Sequence, residues 1–292
     1  MSRIHEALKR AEEDRAAAQA VHLESVVPFA VSATAPSVSP LSAPGSEFSY
    51  ATVLSRCAPS SWSPDTKTML FYNSEQAPGT EEFRTLRSRL YQLREKRPLK
   101  KVLVTSSLPK EGKSFVAANL AQALARQQGR RVLLIDADLR ASRLHLALGT
   151  SATPGLSEYL LGEADEFGIM QRGTMENLLF IPAGRSTSNP AEMIANSRLS
   201  ILLGQAEPLF DWIVIDSPPA VPVSDAGLIA NHCDGVLMVV RSDATPSDVA
   251  RKARAEFDDK LLLGVVLNGI KRGSAEYSRY YGAYGKEGRG RE

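Results

Sequence analysis

The chain has 292 residues, enough for one large α/β domain with tails. Its 35 Lys and Arg stand against 33 Asp and Glu, a net charge of +2, so the overall balance gives no case for nucleic-acid binding. Cys57 and Cys233 form no motif, no apolar run reaches about 18 residues, and the N-terminus lacks a signal peptide's apolar core; a reducing, cytoplasmic setting is expected.

In chain order, residues 1–24 open with an Ala/Glu/Arg-rich stretch predicted as a helix. Ser2 is a candidate N-cap, and Ile4, Leu8 and Ala11 form a thin stripe, so this helix is either solvated or docks a partner. Residues 25–68 are rich in Pro, Ser and Ala with little charge, the composition of a flexible linker without fixed structure. The domain proper is placed at 69–272, where order returns near Met69-Leu-Phe-Tyr72. Thr80 is expected to cap a helix with Glu81 and Glu82 in its first turn and Phe83, Leu86, Leu90 and Leu93 as its buried stripe. Glu81, Arg84 and Arg87 fall on the other side, as a solvated face or a subunit contact. From Arg84 to Lys101, eight basic residues face the single acid Glu95, which fits a solvated helix face with its trailing loop or an anion site. His5, His22, His145 and His232 have no metal-ligand spacing.

After Pro98 the strand candidates are 102–105, 132–135, 178–181, 212–215, 236–240 and 263–267, with helical patterns over 114–128, 191–206, 223–231 and 246–259. The strands are mostly continuous apolar runs, as parallel strands buried on both faces are. Strand alternating with helix predicts an α/β, doubly wound, mostly parallel sheet. The first strand runs into Ser106-Ser-Leu-Pro-Lys-Glu-Gly-Lys-Ser114 and then a helix, the layout of a P-loop NTPase. Loop N–H groups and the helix N-terminus point at one place, Lys113 adds a full charge for the β- and γ-phosphates, and the Ser114 hydroxyl can ligate Mg²⁺. Ser107 and Lys110 stand where the general pattern often has Gly.

Two further strands end in acid: Val132-Leu-Leu-Ile-Asp-Ala-Asp138 and Asp211-Trp-Ile-Val-Ile-Asp216. Strand alternation lets Asp136 and Asp138 share a face at the open end. Any one of these acids would serve to cap a loop, but three beside a Gly-Lys-Ser loop suit Mg·ATP chemistry. Ser114 and an acid would hold the metal, and a third carboxylate would orient or deprotonate the nucleophile.

On these residues the chain resembles the bacterial tyrosine kinases of capsule and exopolysaccharide synthesis, relatives of the MinD/ParA ATPases. The likeness runs from about Glu75 to the tail. It rests on the loop 106–114 (Walker A), Leu134-Ile-Asp-Ala-Asp-Leu-Arg140 (Walker A′), Ile213-Val-Ile-Asp-Ser-Pro-Pro219 (Walker B) and Glu81-x-x-Arg84-x-x-Arg87. Pro154-Gly-Leu-Ser-Glu-Tyr-Leu160, Asn189-Pro-Ala-Glu192 and Gly264-Val-Val-Leu-Asn268 also resemble family segments, and Tyr277, Tyr280, Tyr281 and Tyr284 form a C-terminal tyrosine cluster within a 273–292 tail.

The resemblance implies an ATP-dependent protein-tyrosine autokinase regulating polysaccharide polymerisation and export, with ATP and Mg²⁺ as cofactors. ATP would contact Ser106, Ser107, Leu108, Pro109, Lys110, Glu111, Gly112, Lys113, Ser114 and Phe115, with Asn268 near the adenine. Ser114, Asp136 and Asp216 would serve the metal, and Lys113, Asp136 and Asp138 catalysis, the base role being open between the two acids. Glu81, Arg84 and Arg87 would hold a homo-oligomeric ring, and the tail tyrosines would be phosphorylated. Membrane association would come through a separate transmembrane activator of the polysaccharide co-polymerase type. Nine residues separate Asn268 from Tyr277 and sixteen from Tyr284. At ~3.4 Å per extended residue the tail spans ~30–55 Å, enough for its own site or a neighbour's. Departures from the family are Lys110 for a loop Gly and Ser142 for the Pro after Asp-Leu-Arg. Leu108, where MinD/ParA proteins carry an extra lysine, counts against the alternative of a positioning ATPase without kinase activity; a nucleotide-binding scaffold without turnover is a third reading.

Overall fold

The computed structural model describes residues 49–57, 59–73, 77–173 and 175–270. Seven strands, β1 (Lys101–Ser106), β2 (Val132–Asp136), β3 (Gln171–Arg172), β4 (Leu178–Ile181), β5 (Trp212–Asp216), β6 (Gly235–Arg241) and β7 (Leu262–Asn268), form one sheet ordered β3-β4-β2-β5-β1-β6-β7. All neighbouring pairs are parallel except β3 with β4. All six predicted strands are present. Alternation divides the central strands between two cores: Leu103, Leu133, Ile135, Ile213 and Ile215 enter one, and Val102, Val104, Leu134, Trp212 and Val214 the other. Covering both faces requires the unbroken apolar runs seen in the sequence.

The helices are α1 (Tyr50–Arg56), α2 (Leu70–Asn73), α3 (Thr80–Arg94), α4 (Lys113–Ala125), α5 (Leu144–Leu148), α6 (Leu156–Leu161), α7 (Pro190–Ile194), α8 (Ser197–Ala206), α9 (Asp225–Ala230) and α10 (Ser247–Ala255). Helix α4 is buried on every side from Val116 to Ala125, and its five alanines in that stretch let it lie close to the sheet beneath α3. Phe83 and Phe115 meet edge to face at 5.8 Å where α3 crosses it.

Several expectations need correction. The predicted linker gives way to ordered chain from Ser49 onward. Ser49 caps α1 by accepting from the Thr52 N–H at 3.2 Å, and Val53 and Cys57 enter the core. The chain then wraps the sheet edge as a belt. Pro59 bridges to Arg172, and Trp62 lies on Gly173 and edge-on to Phe180 at 6.3 Å. A Cβ on Gly173 would come within 2.3 Å of the indole, so this residue's lack of a side chain seats the tryptophan. The belt ends on α4, where Asn119 Oδ1 accepts from the Leu70 N–H at 2.9 Å and Asn119 Nδ2 donates to the Thr68 carbonyl at 2.8 Å. A few apolar anchors outweigh the Pro/Ser/Ala background.

Thr80 is not the cap of α3. Gly79 holds that position at φ +101, and the buried Thr80 hydroxyl donates to the Ala77 carbonyl at 2.8 Å. The helix predicted over 191–206 is two helices, because Asn196 turns extended and its side chain accepts from the Arg198 N–H at 3.3 Å, capping α8. β7 is not buried on both faces: Val265 and Leu267 are 55% and 43% exposed on this edge strand. The sequence pattern predicts none of β3, α1, α2, α5 and α6. The predicted helix over 1–24, the linker up to 48 and the four tail tyrosines lie outside the described residues.

Candidate active site

Residues from three adjacent strands meet at the carboxyl edge of the sheet. β1 ends at Ser106, and the loop from Ser107 to Gly112 turns into α4, whose first residue is Lys113. Gly112 sits at φ +97 with Asn268 Nδ2 only 2.0 Å from where a Cβ would be. The backbone here is therefore bare, as close approach of phosphate oxygens needs. Asn268 Nδ2 donates to the Glu111 carbonyl at 2.9 Å, so the structure brings Asn268 onto the loop from the far end of β7.

The loop is braced from inside. Glu111 is buried, its Oε2 accepts from the Leu108 N–H at 2.8 Å, and its Oε1 accepts from the Thr245 hydroxyl. Arg241 Nη1 donates to the Lys110 carbonyl at 3.2 Å. A cleft of about 300 Å³ opens between Leu108–Glu111 and the 241–245 segment. Lys110 at φ +68 lines it, and Asp243 at φ +58 lies in the turn after β6; these are the two non-glycine residues with positive φ among those described. Such backbone strain concentrates at functional sites.

Asp136 and Asp216 are register partners on β2 and β5, and Asp216 also pairs with Val104 of β1. Both are fully buried, and Asp138 is nearly so. Lys113 Nζ lies 2.6 Å from Asp138 Oδ2, 3.8 Å from Asp216 Oδ2 and 3.3 Å from the Ser114 hydroxyl. Thus the lysine of α4 and the acids of both strand ends converge as their order in the sequence predicts. Asp136 is gripped most tightly: Oδ1 accepts from the Asp138 N–H at 3.2 Å, and Oδ2 from the Ser142 hydroxyl at 2.8 Å and the Leu144 N–H at 3.2 Å. Asp138 Oδ1 accepts from the Ala141 N–H at 2.9 Å.

The electrostatics follow from burial. Desolvation pushes the Asp216 carboxyl up to about 7, with Lys113 opposing and Asp136 adding to the rise. Asp136 is pushed up to about 6 for the same reason, with Ser142 and Lys113 opposing. Burial pulls the Lys113 ammonium down, but Asp216, Asp138 and Asp136 outweigh it and hold the group above its ordinary value. One cation thus faces three carboxylates.

The two Asp216 oxygens are buried and have no hydrogen bond of ordinary geometry, the Lys113 ammonium and the Ser114 hydroxyl being the polar groups near enough to oppose the rise of the carboxyl. Such carboxylate oxygens beside a serine hydroxyl are the hard oxygen donors that Mg²⁺ takes, so the residues fit that ion. Among the described residues no group of three His, Cys, Asp or Glu closes into a cage. A Mg²⁺ here would keep waters and phosphate oxygens in its shell, as this ion does.

The Glu81, Arg84 and Arg87 row of α3 divides. Glu81 and Arg84 pair with each other at 3.0 Å, whereas Arg87 Nη1 turns inward to the Ala123 carbonyl near the end of α4 at 2.8 Å. Sequence patterning assigns no role to Arg241 and Thr245, which brace the loop, or to Arg140 and Asp225. Arg140 grips Asp225 in a two-pronged ion pair at the site's rim. An acid in the first turn of a short helix gives no signal of its own, since its partner lies 85 residues away.

Residues 102–281 match the CobQ/CobB/MinD/ParA nucleotide binding domain. Tyrosine-protein kinase YwqD of Bacillus subtilis is 36% identical over 205 residues, which cover 70% of this chain and 86% of that one. Tyrosine-protein kinase CpsD of Streptococcus agalactiae is 34% identical over 192 residues, 65% of this chain and 83% of that one. The kinase domain of Escherichia coli tyrosine kinase ETK superposes with a TM-score of 0.63 at 30% identity, covering 68% of this chain and 79% of that one. With its phosphate loop, its acid-tipped strands and these relatives in place, the chain belongs to the bacterial tyrosine-protein kinases, a branch of the MinD/ParA-type nucleotide-binding domains.

Proposed function

We propose that the protein is an ATP-dependent tyrosine autokinase whose phosphate acceptors are Tyr277, Tyr280, Tyr281 and Tyr284. The observation that carries this reading is the Lys113 ammonium set between Asp138 at 2.6 Å and Asp216 at 3.8 Å at the mouth of the glycine loop. The loop N–H groups and Lys113 bind the β- and γ-phosphates, and Asn268 with the 241–245 segment flanks the nucleoside. Ser114 and, directly or through water, Asp216 and Asp136 would hold Mg²⁺, which when bound would neutralise charge on the phosphoryl oxygens. Asp136, gripped by three donors, keeps the acid pair in place. Asp138, with Oδ2 turned to the lysine, accepts the phenol proton. The phenol oxygen bonds to the γ-phosphorus, the β–γ bridging bond breaks, and ADP leaves with that electron pair. A free phenol has a pKa of about 10, so roughly one in a thousand is ionised at neutral pH, and general-base help is worth about a hundredfold or more.

Family likeness supports the wider setting. A homo-oligomer presents each tail to a neighbour's site, with the Glu81–Arg84 pair of α3 at the contact. A transmembrane activator of polysaccharide export supplies the membrane link; among the described residues no helix is long and apolar enough to cross a membrane. The test is a phosphotyrosine map of wild type beside Lys113→Met, with Mg·ATP and the activator's cytoplasmic segment. Label on residues 277–284 in wild type, down at least about a hundredfold in the variant, is expected. ATP turnover with no phosphotyrosine would point to a positioning ATPase instead.

A further inference from the structure

The two acids at the end of β2 are aimed by the loop that follows them. Asp138 Oδ1 takes the Ala141 N–H, and Asp136 Oδ2 takes the Ser142 hydroxyl and the Leu144 N–H. All three donors belong to residues 141–144, so the path of this loop decides where both carboxylates point. The path is pinned at Arg140. Its Nε and Nη2 donate to Asp225 Oδ2 and Oδ1 at 2.7 and 3.0 Å, which uses both oxygens of an acid that is fully buried. Asp225 opens α9, and the segment leading to it leaves β5 at Asp216. The pair therefore spans the two acid-bearing segments, one after β2 and one after β5.

We propose that Arg140 and Asp225 are a positioning pair for phosphoryl transfer: a strut that fixes the Asp136–Asp138 loop against the segment after Asp216, and so the seat of Asp138 on Lys113. This rests on the Mg·ATP transfer reading of the site. Two-pronged guanidinium–carboxylate contact fixes orientation as well as distance, which a lysine cannot reproduce. Neither residue needs to touch the nucleotide. The phosphate loop and α4 lie on the other side of the acids, so nucleotide binding should survive loss of the strut while turnover should not.

The full-length protein is compared as wild type, Arg140→Lys, Arg140→Gln, and the double variant Arg140→Gln with Asp225→Asn. ADP release, phosphotyrosine, binding of a fluorescent ATP analogue and thermal melting are followed together. Arg140→Gln alone strands a buried acid and is expected to melt lower; the double variant removes both charges and recovers much of that loss. Both should transfer phosphate roughly ten- to a hundredfold more slowly, the scale of a small misplacement of reacting groups, with analogue affinity nearly unchanged. Arg140→Lys should fall between. A double variant that melts like wild type and turns over like wild type would overturn the strut, as would losses that follow only the unfolded fraction. Wild type that releases ADP without labelling tyrosine would overturn the kinase reading and leave the strut to be judged on ADP release; wild type that does neither overturns both.

Discussion

β5 begins beside one acid and ends in another, and the two are treated in opposite ways. Asp211, just before the amino end, accepts from the Arg131 N–H at 2.9 Å and pairs with Arg130 at 3.0 Å. Burial pushes its carboxyl up, but these donors win and hold it below its ordinary value. Its neighbours follow suit. Asp234 takes the N–H groups of Lys100 and Lys101 at 2.8 Å each, and Lys101 lies between Glu207 and Asp234. Five residues on, Asp216 is buried without a hydrogen bond of ordinary geometry and shares one lysine with two other acids. The amino end satisfies its charges and contributes to folding. The carboxyl end keeps three carboxylates around one ammonium, an excess of negative charge that a bound divalent cation would offset. Size does not locate the chemistry: a larger concavity of about 390 Å³ sits between Tyr50 and Arg131, away from all three acids.

The contrast breaks most visibly at Asp216. Asp216→Asn should cut phosphate transfer by about a hundredfold or more. It should also stabilise the ligand-free protein. With a folded value of about 7 against an ordinary 3.8, the native state keeps a proton that the unfolded chain releases, so stability falls as pH rises through that window. In metal-free, nucleotide-free buffer the variant should melt higher than wild type at pH 8, by on the order of a few kcal/mol at most, with the gap closing toward pH 4. An unchanged gap across that range would mean that Asp216 is not the strained group. At the other end, Arg130→Ala should cost no more than about 1 kcal/mol in a urea melt, less at high salt, and leave transfer unaltered.

Lys110→Gly sharpens the picture at the loop itself. A left-handed lysine carries strain of about 1 kcal/mol that glycine avoids, so a slightly higher melting temperature is expected, with transfer not raised. Transfer appearing only in this variant would favour a nucleotide-binding scaffold that has lost turnover.

The sheet and the site's principal charges were legible because both follow local rules. Unbroken apolar runs mark strands covered on two faces, and acids closing Val132–Asp136 and Trp212–Asp216 sit beside the glycine loop once the strands are parallel. What was hidden depends on partners distant in sequence. Trp62 reads as linker until Gly173 and Phe180 receive it, and Arg140 reads as motif decoration until Asp225 answers it. Asn196 divides one apolar helix pattern into two through a single side-chain oxygen, which periodicity does not register.

Because Asp136 and Asp216 occupy the same rung of adjacent strands, the sheet itself acts as the ruler between them. Backbone hydrogen bonding holds neighbouring strands about 4.8 Å apart whatever their side chains are. The backbone spacing between the two acids is thus written into peptide geometry, and the loop over 141–144 sets only how Asp136 and its neighbour Asp138 are aimed.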